Sequence, residues 1–199
     1  MKKIILTLFC ILSFTKLFPQ VNLQLLGHLS YATTCAGVWQ YADSLGNEYA
    51  LIGAGDGISI VDVTTPSSPA VLFTVPAANS LWRELKTSGH YCYAVTEGGG
   101  GVTILNLQYL PDSVPYKVYT GDGAITGQIS SAHTVAVTDG YMYIFGSNIA
   151  NGGALICDVT ADPWNPVYTG QYNLQYIHDG YIRNDTLWAG EIYEGQFSV

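Results

Sequence analysis

Five residues carry side chains that could bind one ligand together. Arg83, His133 and His178 recur at similar intervals, and Glu84 and Asp179 directly follow the first and the last of them. Imidazole nitrogens ligate transition metals, and the Arg side chain binds carboxylate or phosphate through paired hydrogen bonds. The five residues therefore form the candidate ligand-binding site. His133, His178 and Asp179 are the candidate ligands of a divalent metal, the one cofactor that these residue types suggest.

The same residues have two other interpretations. Polar side chains at repeated positions often only hydrogen-bond neighbouring strands and ordered water. In a catalytic interpretation, Arg83 would bind an anionic group while His133 or His178 acts as a general base or holds a metal. His178 and Asp179 are adjacent, so both reach one ligand only if their strand begins irregularly. Structural, binding and catalytic roles stay open at this point, and Glu191 and Glu194 are expected to be solvated loop acids.

A repeated segment supplies the framework for these residues. Gly57-Ile-Ser-Ile-Val-Asp-Val returns as Gly101-Val-Thr-Ile-Leu-Asn-Leu, then as Gly153-Ala-Leu-Ile-Cys-Asp-Val, and begins again at Gly195. The leading glycines at 57, 101, 153 and 195 are spaced by 44, 52 and 42 residues. A period of this length indicates a repeat architecture. Within each period the β-branched run, the turn residues after it and the aromatic-rich runs before it predict four short strands.

Four short strands per period are typical of a β-propeller blade. We therefore predict an all-β, propeller-like domain over 21–199 with four-stranded antiparallel blades. The blades are expected at about 30–75, 80–120 and 130–172, with the start of a fourth at 176–199. Propellers have four to eight blades, so this incomplete ring suggests the N-terminal piece of a longer protein. The first strand of each blade lines the central channel, where Gly37, Arg83, His133 and His178 would converge.

The N-terminus has the pattern of a secretory signal over residues 1–20. Lys2 and Lys3 precede an apolar run from Ile4 to Thr15 that is too short to span a bilayer. We expect a protein that is secreted or held at the cell surface, with no membrane span. The next segment, Val21 to Leu29, resembles a blade-closing strand such as Pro166 to Tyr172. The open sheet edges of an incomplete ring would favour self-association.

Charge and motif searches exclude several classes of function. Removal of residues 1–20 leaves 7 − 3 = 4 basic residues against 15 acidic ones, a net charge of 4 − 15 = −11. Nucleic acids and anionic membranes are bound through Lys and Arg, so neither is an expected partner. The sequence has no Gly-x-Ser-x-Gly, Cys-x-x-Cys or His-Glu-x-x-His motif. Glu97 to Gly101 reads as a hairpin turn rather than a phosphate loop, and the pairing state of Cys35, Cys92 and Cys157 stays open.

Several segments resemble one known family. They are Ile58-Ser-Ile-Val-Asp-Val63, Leu81-Trp-Arg-Glu-Leu-Lys86, Ser131-Ala-His-Thr134 and Ile177-His-Asp179. The sequence is similar to LVIVD-repeat proteins and to the secreted bacterial choice-of-anchor B proteins of that class. The resemblance implies an exported, propeller-like surface protein, often with a variable C-terminal anchoring region, and no settled activity. We expect a non-catalytic recognition or scaffold module for an unknown extracellular ligand. The alternative is a hydrolase or lyase that acts on an exported acidic or sugar-like substrate.

Overall fold

The computed structural model of the chain describes residues 23–199, which form four antiparallel sheets in chain order. The first sheet has the strands β1 (Cys35–Ala42), β2 (Glu48–Ala54), β3 (Gly57–Asp62) and β4 (Ala70–Pro76). The second has β5 (Arg83–Ser88), β6 (Tyr91–Thr96), β7 (Val102–Asn106) and β8 (Tyr116–Tyr119). The third has β9 (Thr134–Thr138), β10 (Tyr141–Phe145), β11 (Ala154–Asp158) and β12 (Val167–Tyr172). The fourth has β13 (Asp179–Arg183), β14 (Thr186–Glu191) and β15 (Gln196–Ser198).

The predicted all-β class and the blade-like sheets are confirmed, with four strands in each of the first three sheets and three in the fourth. Each sheet is a meander in which sequential strands pair, and the only helical pieces among residues 23–199 are 3₁₀ turns at Gly123–Ile125 and Ala150–Gly152. Neighbouring sheets touch mainly through their first strands, because β1 contacts β5, β5 contacts β9 and β9 contacts β13. This arrangement places the beginnings of the first strands beside one another.

The core lies between sheets rather than within one. Successive residues of a strand point to opposite faces, so β6 packs on both neighbours at once. Cys92 and Ala94 are buried against the first sheet, whereas Tyr93 and Val95 are buried against the third. A smaller cluster, which includes Phe145, joins the third sheet to the fourth. Burial of the alternating apolar side chains is therefore the main contribution that holds neighbouring sheets together.

The acidic or amide residue of each repeat forms a turn at the end of the third strand. The Oδ1 atoms of Asp62, Asn106 and Asp158 accept hydrogen bonds from the backbone N–H two residues later, at 2.9, 3.0 and 2.7 Å. Such local bonds end a strand because they satisfy backbone groups outside the sheet ladder. The residue between them donates its backbone N–H to the start of the second strand, at 2.8 to 2.9 Å in all three repeats. The repeated Asp therefore has a structural role.

The turns between first and second strands use left-handed backbone in the third and fourth sheets. Asp139 and Gly140 have φ of 51° and 79°, and Asn184 and Asp185 have φ of 49° and 58°. Two residues with positive φ form the hairpin turn whose twist matches that of the flanking strands. A bulge recurs between the third and fourth strands, at Ile60/Val61 and at Ile156/Cys157, which are equivalent positions of the repeat. The repeat therefore extends to irregular backbone features.

The segment at the start of the described chain differs from its prediction as a strand. Within the described part, residues 23–34 belong to no strand. Gly27 instead lies so close to the turn after β3 that a Cβ atom there would overlap the carbonyl oxygen of Pro66. Pro66 and Pro69 have no backbone N–H to donate. The turn therefore packs against Gly27 but cannot form the hydrogen bonds that would pair this segment as a strand. The predicted signal sequence, residues 1–20, lies outside the described residues. No helix in 23–199 has the length and apolar character needed to span a membrane.

The insertion between the second and third sheets is less exposed than the sequence suggests. Residues 121–127 lie in the insertion that lengthens the second period to 52 residues, and such insertions are expected to form exposed loops on one face of a propeller. Ile125 is buried, and it packs with Tyr119 and Ile129 in the core between the second and third sheets. One apolar side chain of an otherwise largely exposed segment therefore joins this core.

Candidate functional site

Two histidines lie in contact where the third and fourth sheets begin. His133 and His178 directly precede β9 and β13. Their backbone N–H groups donate to the carbonyls of Phe145 and Gly190, at 3.0 and 2.9 Å, so both occupy equivalent places in the repeat. The hydroxyl of Thr134 donates to the carbonyl oxygen of His178 at 2.9 Å. The two imidazole centroids are 3.9 Å apart, with the rings inclined by 51°.

Each imidazole is held by its own carboxylate. His133 Nδ1 lies 2.6 Å from Glu97 Oε1, and His178 Nδ1 lies 2.5 Å from Asp179 Oδ2. An ionised carboxylate only accepts hydrogen bonds, so Nδ1 carries the proton in both rings. In neutral imidazole the other nitrogen, Nε2, then keeps a lone pair. We call His133, His178, Glu97 and Asp179 the histidine-pair site, to which the second, third and fourth sheets contribute.

Tyr176 borders the histidine-pair site. Its ring packs on Tyr193, with the ring centroids 4.8 Å apart. A Cβ atom on Gly146 would lie 2.6 Å from the Cβ of His133 and 2.9 Å from the Tyr176 hydroxyl, so His133 and Tyr176 flank one glycine. Burial raises the pKa of Tyr176, as do the nearby Tyr193, Glu97 and Asp179. The hydroxyl therefore stays neutral and adds a polar group beside two carboxylates.

Arg83 has backbone partners in the first sheet and the segment after it. The residue is only 3% exposed. Its Nε donates to the carbonyl oxygen of Ala54 at 3.1 Å, and Nη2 donates to that of Ala78 at 2.7 Å. Burial lowers the pKa of Arg83, and the negative charge of Asp56 partly offsets that effect. The guanidinium thus links the second sheet to the first.

Glu84 also has a partner on its own strand. Its carboxylate forms an ion pair with Lys86, whose Nζ lies 4.1 Å from the centroid of the Trp39 ring. The structure therefore brings together His133, His178 and Asp179 of the candidate residues and gives Arg83 and Glu84 different neighbours. Gly37, the first position of the predicted column, approaches the second sheet so closely that a Cβ atom would overlap the carbonyl oxygen of Arg83.

Sequence reasoning missed Glu97 and Tyr176. Glu97 follows β6 directly, and in an antiparallel sheet the end of the second strand lies beside the beginning of the first. The first strands of neighbouring sheets lie side by side. The residue after the second strand of one sheet is therefore close to the residue before the first strand of the next sheet. Here these two residues are Glu97 and His133. That repeat register was the available signal. Tyr176 follows no repeated pattern and offered none.

Glu191 differs from its prediction as a solvated acid. It is 1% exposed, and its carboxylate accepts hydrogen bonds from the Tyr172 hydroxyl and from Gln196 Nε2, both at 2.8 Å. The hydrogen bonds from Gln196 and Tyr172 lower the pKa of Glu191. Its partners occupy both oxygens, so this carboxylate stabilises the junction of the third and fourth sheets.

The metal-binding interpretation rests on two imidazoles. Within residues 23–199 no group of three or more His, Cys, Asp or Glu side chains is arranged to hold a metal ion. Cys35, Cys92 and Cys157 are free thiols, and the last two are buried. The site is therefore defined by the histidine pair and its carboxylates.

The stacked antiparallel meanders and their repeated bulges define an all-β, propeller-like repeat protein. Residues 44–76 match the family model of the LVIVD repeat. The match covers β2, β3 and β4, the part of the first repeat that contains Ile58 to Val63. A comparison with curated proteins found no match.

Proposed function

We propose that this protein is an exported surface module of the choice-of-anchor B class that binds an extracellular ligand without catalysing a reaction. Its ligand would bind at the histidine-pair site. One observation carries the proposal: side chains from three sheets meet at one place, with two imidazoles in contact and a carboxylate on each. Convergent polar groups at the end of a rigid scaffold are typical of binding sites.

The proposal favours binding over catalysis because of Arg83. The hydrolase or lyase alternative assigns Arg83 to an anionic group of the substrate. Its guanidinium is buried and donates to the carbonyls of Ala54 and Ala78. An anion would have to break these bonds in order to bind. Among the polar groups of the described chain, the histidine pair offers a general base, but Arg83 is not placed to hold a substrate beside it.

Export rests on the sequence of residues 1–20, and the mature charge of −11 agrees with a surface that avoids nucleic acid and anionic lipid. N-terminal sequencing of the protein from its native host tests this part. We expect the mature chain to begin near Val21. An N-terminus at Met1 would contradict export through a cleaved signal.

A thermal-shift panel tests ligand binding. A ligand that binds only the folded state raises the melting temperature. We expect at least one glycan or peptide in a panel to raise it for the chelator-treated wild type and not for the His133→Ala/His178→Ala variant. His28→Ala is the matched control, because His28 is an exposed histidine in the N-terminal segment, and it should respond as the wild type does. Equal shifts in all three proteins would overturn the assignment of the site.

A further inference from the structure

The donor atoms of the histidine-pair site have the arrangement of a metal site with its outer carboxylates. Histidines that ligate metals generally donate their second ring N–H to a carboxylate, which fixes the tautomer and makes the ligating nitrogen more basic. His133 and His178 both show this contact, with Glu97 and Asp179 as the acceptors. Within residues 23–199, Nε2 of neither ring has a hydrogen-bond partner. Two lone pairs are therefore available on neighbouring rings.

We propose that the histidine-pair site binds one divalent transition-metal ion through Nε2 of His133 and Nε2 of His178. This inference rests on the proposed function and names the ligand class of the same site. Glu97 and Asp179 orient the imidazoles and do not ligate the ion. The remaining coordination positions are open to water or to a donor group of the extracellular partner, as in metal sites that keep exchangeable positions.

The two rings are close enough to share one ion after a small separation. Zn–N bonds are about 2.0–2.1 Å, so two nitrogens on one ion lie within about 4 Å of each other. The ring centroids of His133 and His178 are already 3.9 Å apart. A ring centroid lies about 3.2 Å from an ion bound at Nε2, so two imidazoles on one tetrahedral ion have centroids about 5 Å apart. Rotation about the Cα–Cβ bonds must therefore separate the two rings by about 1 Å when the ion binds. The backbone bonds of both histidines to Phe145 and Gly190 hold the Cβ atoms in place while the rings adjust.

Charge and ligand type select the class of ion. Glu97 and Asp179 form ion pairs with the two histidines and with no Lys or Arg of the described chain, so their charge is available to a dication. Imidazole suits Zn²⁺, Cu²⁺ and Ni²⁺, whereas Mg²⁺ and Ca²⁺ prefer oxygen ligands. We therefore expect Zn²⁺ and Cu²⁺ to bind and Mg²⁺ and Ca²⁺ not to bind.

Isothermal titration of the purified protein with ZnCl₂ tests the proposal. The titration uses a Cys35→Ser background, because the exposed Cys35 thiol is a competing zinc ligand. We expect one ion per chain, and loss of binding in His133→Ala and in His178→Ala. His28→Ala should bind as the background protein does. MgCl₂ should give no binding heat. No zinc binding, or equal binding in the histidine variants, would overturn the proposal.

Two isosteric variants test the outer carboxylates even if the Ala variants fold poorly. Glu97→Gln and Asp179→Asn keep the side-chain shape, and loss of such a partner weakens metal affinity by about 10- to 100-fold. Unchanged affinity in both would overturn the assigned arrangement.

Nitrogen coupling in the EPR spectrum of the Cu²⁺ complex should report two imidazoles, and none if copper binds elsewhere. A panel ligand that binds the chelator-treated protein while zinc does not would reject the metal and keep the recognition function. Zinc binding without a thermal shift from any panel ligand would keep the metal site and reject the proposed recognition function.

Discussion

Arg83 joins the second sheet to the first through the carbonyl oxygen of Ala54, which accepts a hydrogen bond from Nε at 3.1 Å. Ala54 is the last residue of β2, and Arg83 is the first of β5. A second bond, from Nη2 to Ala78 at 2.7 Å, holds the segment that connects the two sheets. The planar guanidinium donates in fixed directions and serves both carbonyls at once. A buried cation here therefore acts as a link between two repeats.

Substitution of Arg83 by Lys should reduce stability while it retains the charge. The ammonium group is a compact donor on a flexible stem and cannot reproduce both bonds, so a carbonyl loses its charged partner. We expect a loss of about 2 kcal/mol in the free energy of unfolding, measured by urea denaturation. Arg183→Lys is the control, because Arg183 is exposed, and it should change stability little. Equal stability of the Arg83→Lys and Arg183→Lys variants would show that Arg83 forms no such link.

Acid should destabilise the protein through its turn carboxylates. Hydrogen bonds from Thr160 lower the pKa of Asp158, and hydrogen bonds from Asn165 and Trp164 with the charge of Lys117 lower the pKa of Asp162. A carboxylate whose folded pKa lies below its unfolded value stabilises the fold above that unfolded value, near 4. The stabilisation is lost as the pH falls through the folded pKa.

We expect the urea midpoint to be highest above about pH 5 and to fall steadily below about pH 4. The Asp158→Asn/Asp162→Asn variant should show a shallower fall, because it cannot be protonated at these turns. High salt should preserve the difference, since short hydrogen bonds are screened far less than the net negative charge. A midpoint that rises on acidification would mean that relief of charge repulsion dominates.

The repeat explains why the fold could be predicted in detail. Ile58 to Val63 and its later copies specify the third strand, and the turn residues after it specify where that strand ends. The same register placed His133 and His178 in one column. Side-chain partners were less predictable, because they depend on which face a residue occupies where a strand begins. Arg83 is the first residue of β5 and lies against the first sheet, a placement that the residue type does not reveal.

Burial of isolated acids could not be predicted either. Glu191 ends β14 directly after Ala189 and Gly190, and its burial depends on Tyr172 from the preceding sheet. Contacts between sheets that are distant in sequence have no local pattern. The N-terminal segment shows the same limit: Gly27 has the pattern of a strand residue, but the turn at Pro66 offers it no ladder.

The three cysteines should differ sharply in reactivity. Burial raises the pKa of Cys92 to about 12 and that of Cys157 to about 11, while Cys35 is exposed. The thiolate is the reactive form, so at pH 8 a thiol of pKa 12 has about one reactive molecule in ten thousand. We expect Ellman's reagent to modify only Cys35 in the folded protein that lacks residues 1–20. Cys35→Ser should abolish the fast reaction, and denaturant should expose two further thiols in both proteins. Rapid reaction of folded Cys35→Ser would contradict this burial.

Loss of the Glu191 carboxylate should loosen the fourth sheet alone. Both of its oxygens accept hydrogen bonds, one from Tyr172 in β12 and one from Gln196 in β15, and the apolar cluster between these sheets is small. A sheet that buries little apolar surface can unfold locally, and this local unfolding costs less free energy than unfolding of the whole protein. We expect Glu191→Ala to speed amide hydrogen exchange in β13, β14 and β15 and to leave β5 to β7 unchanged. Glu194→Ala is the matched control, because Glu194 is exposed three residues away and should exchange as the wild type does. Faster exchange in all four sheets would mean that the fourth sheet opens only with the whole fold.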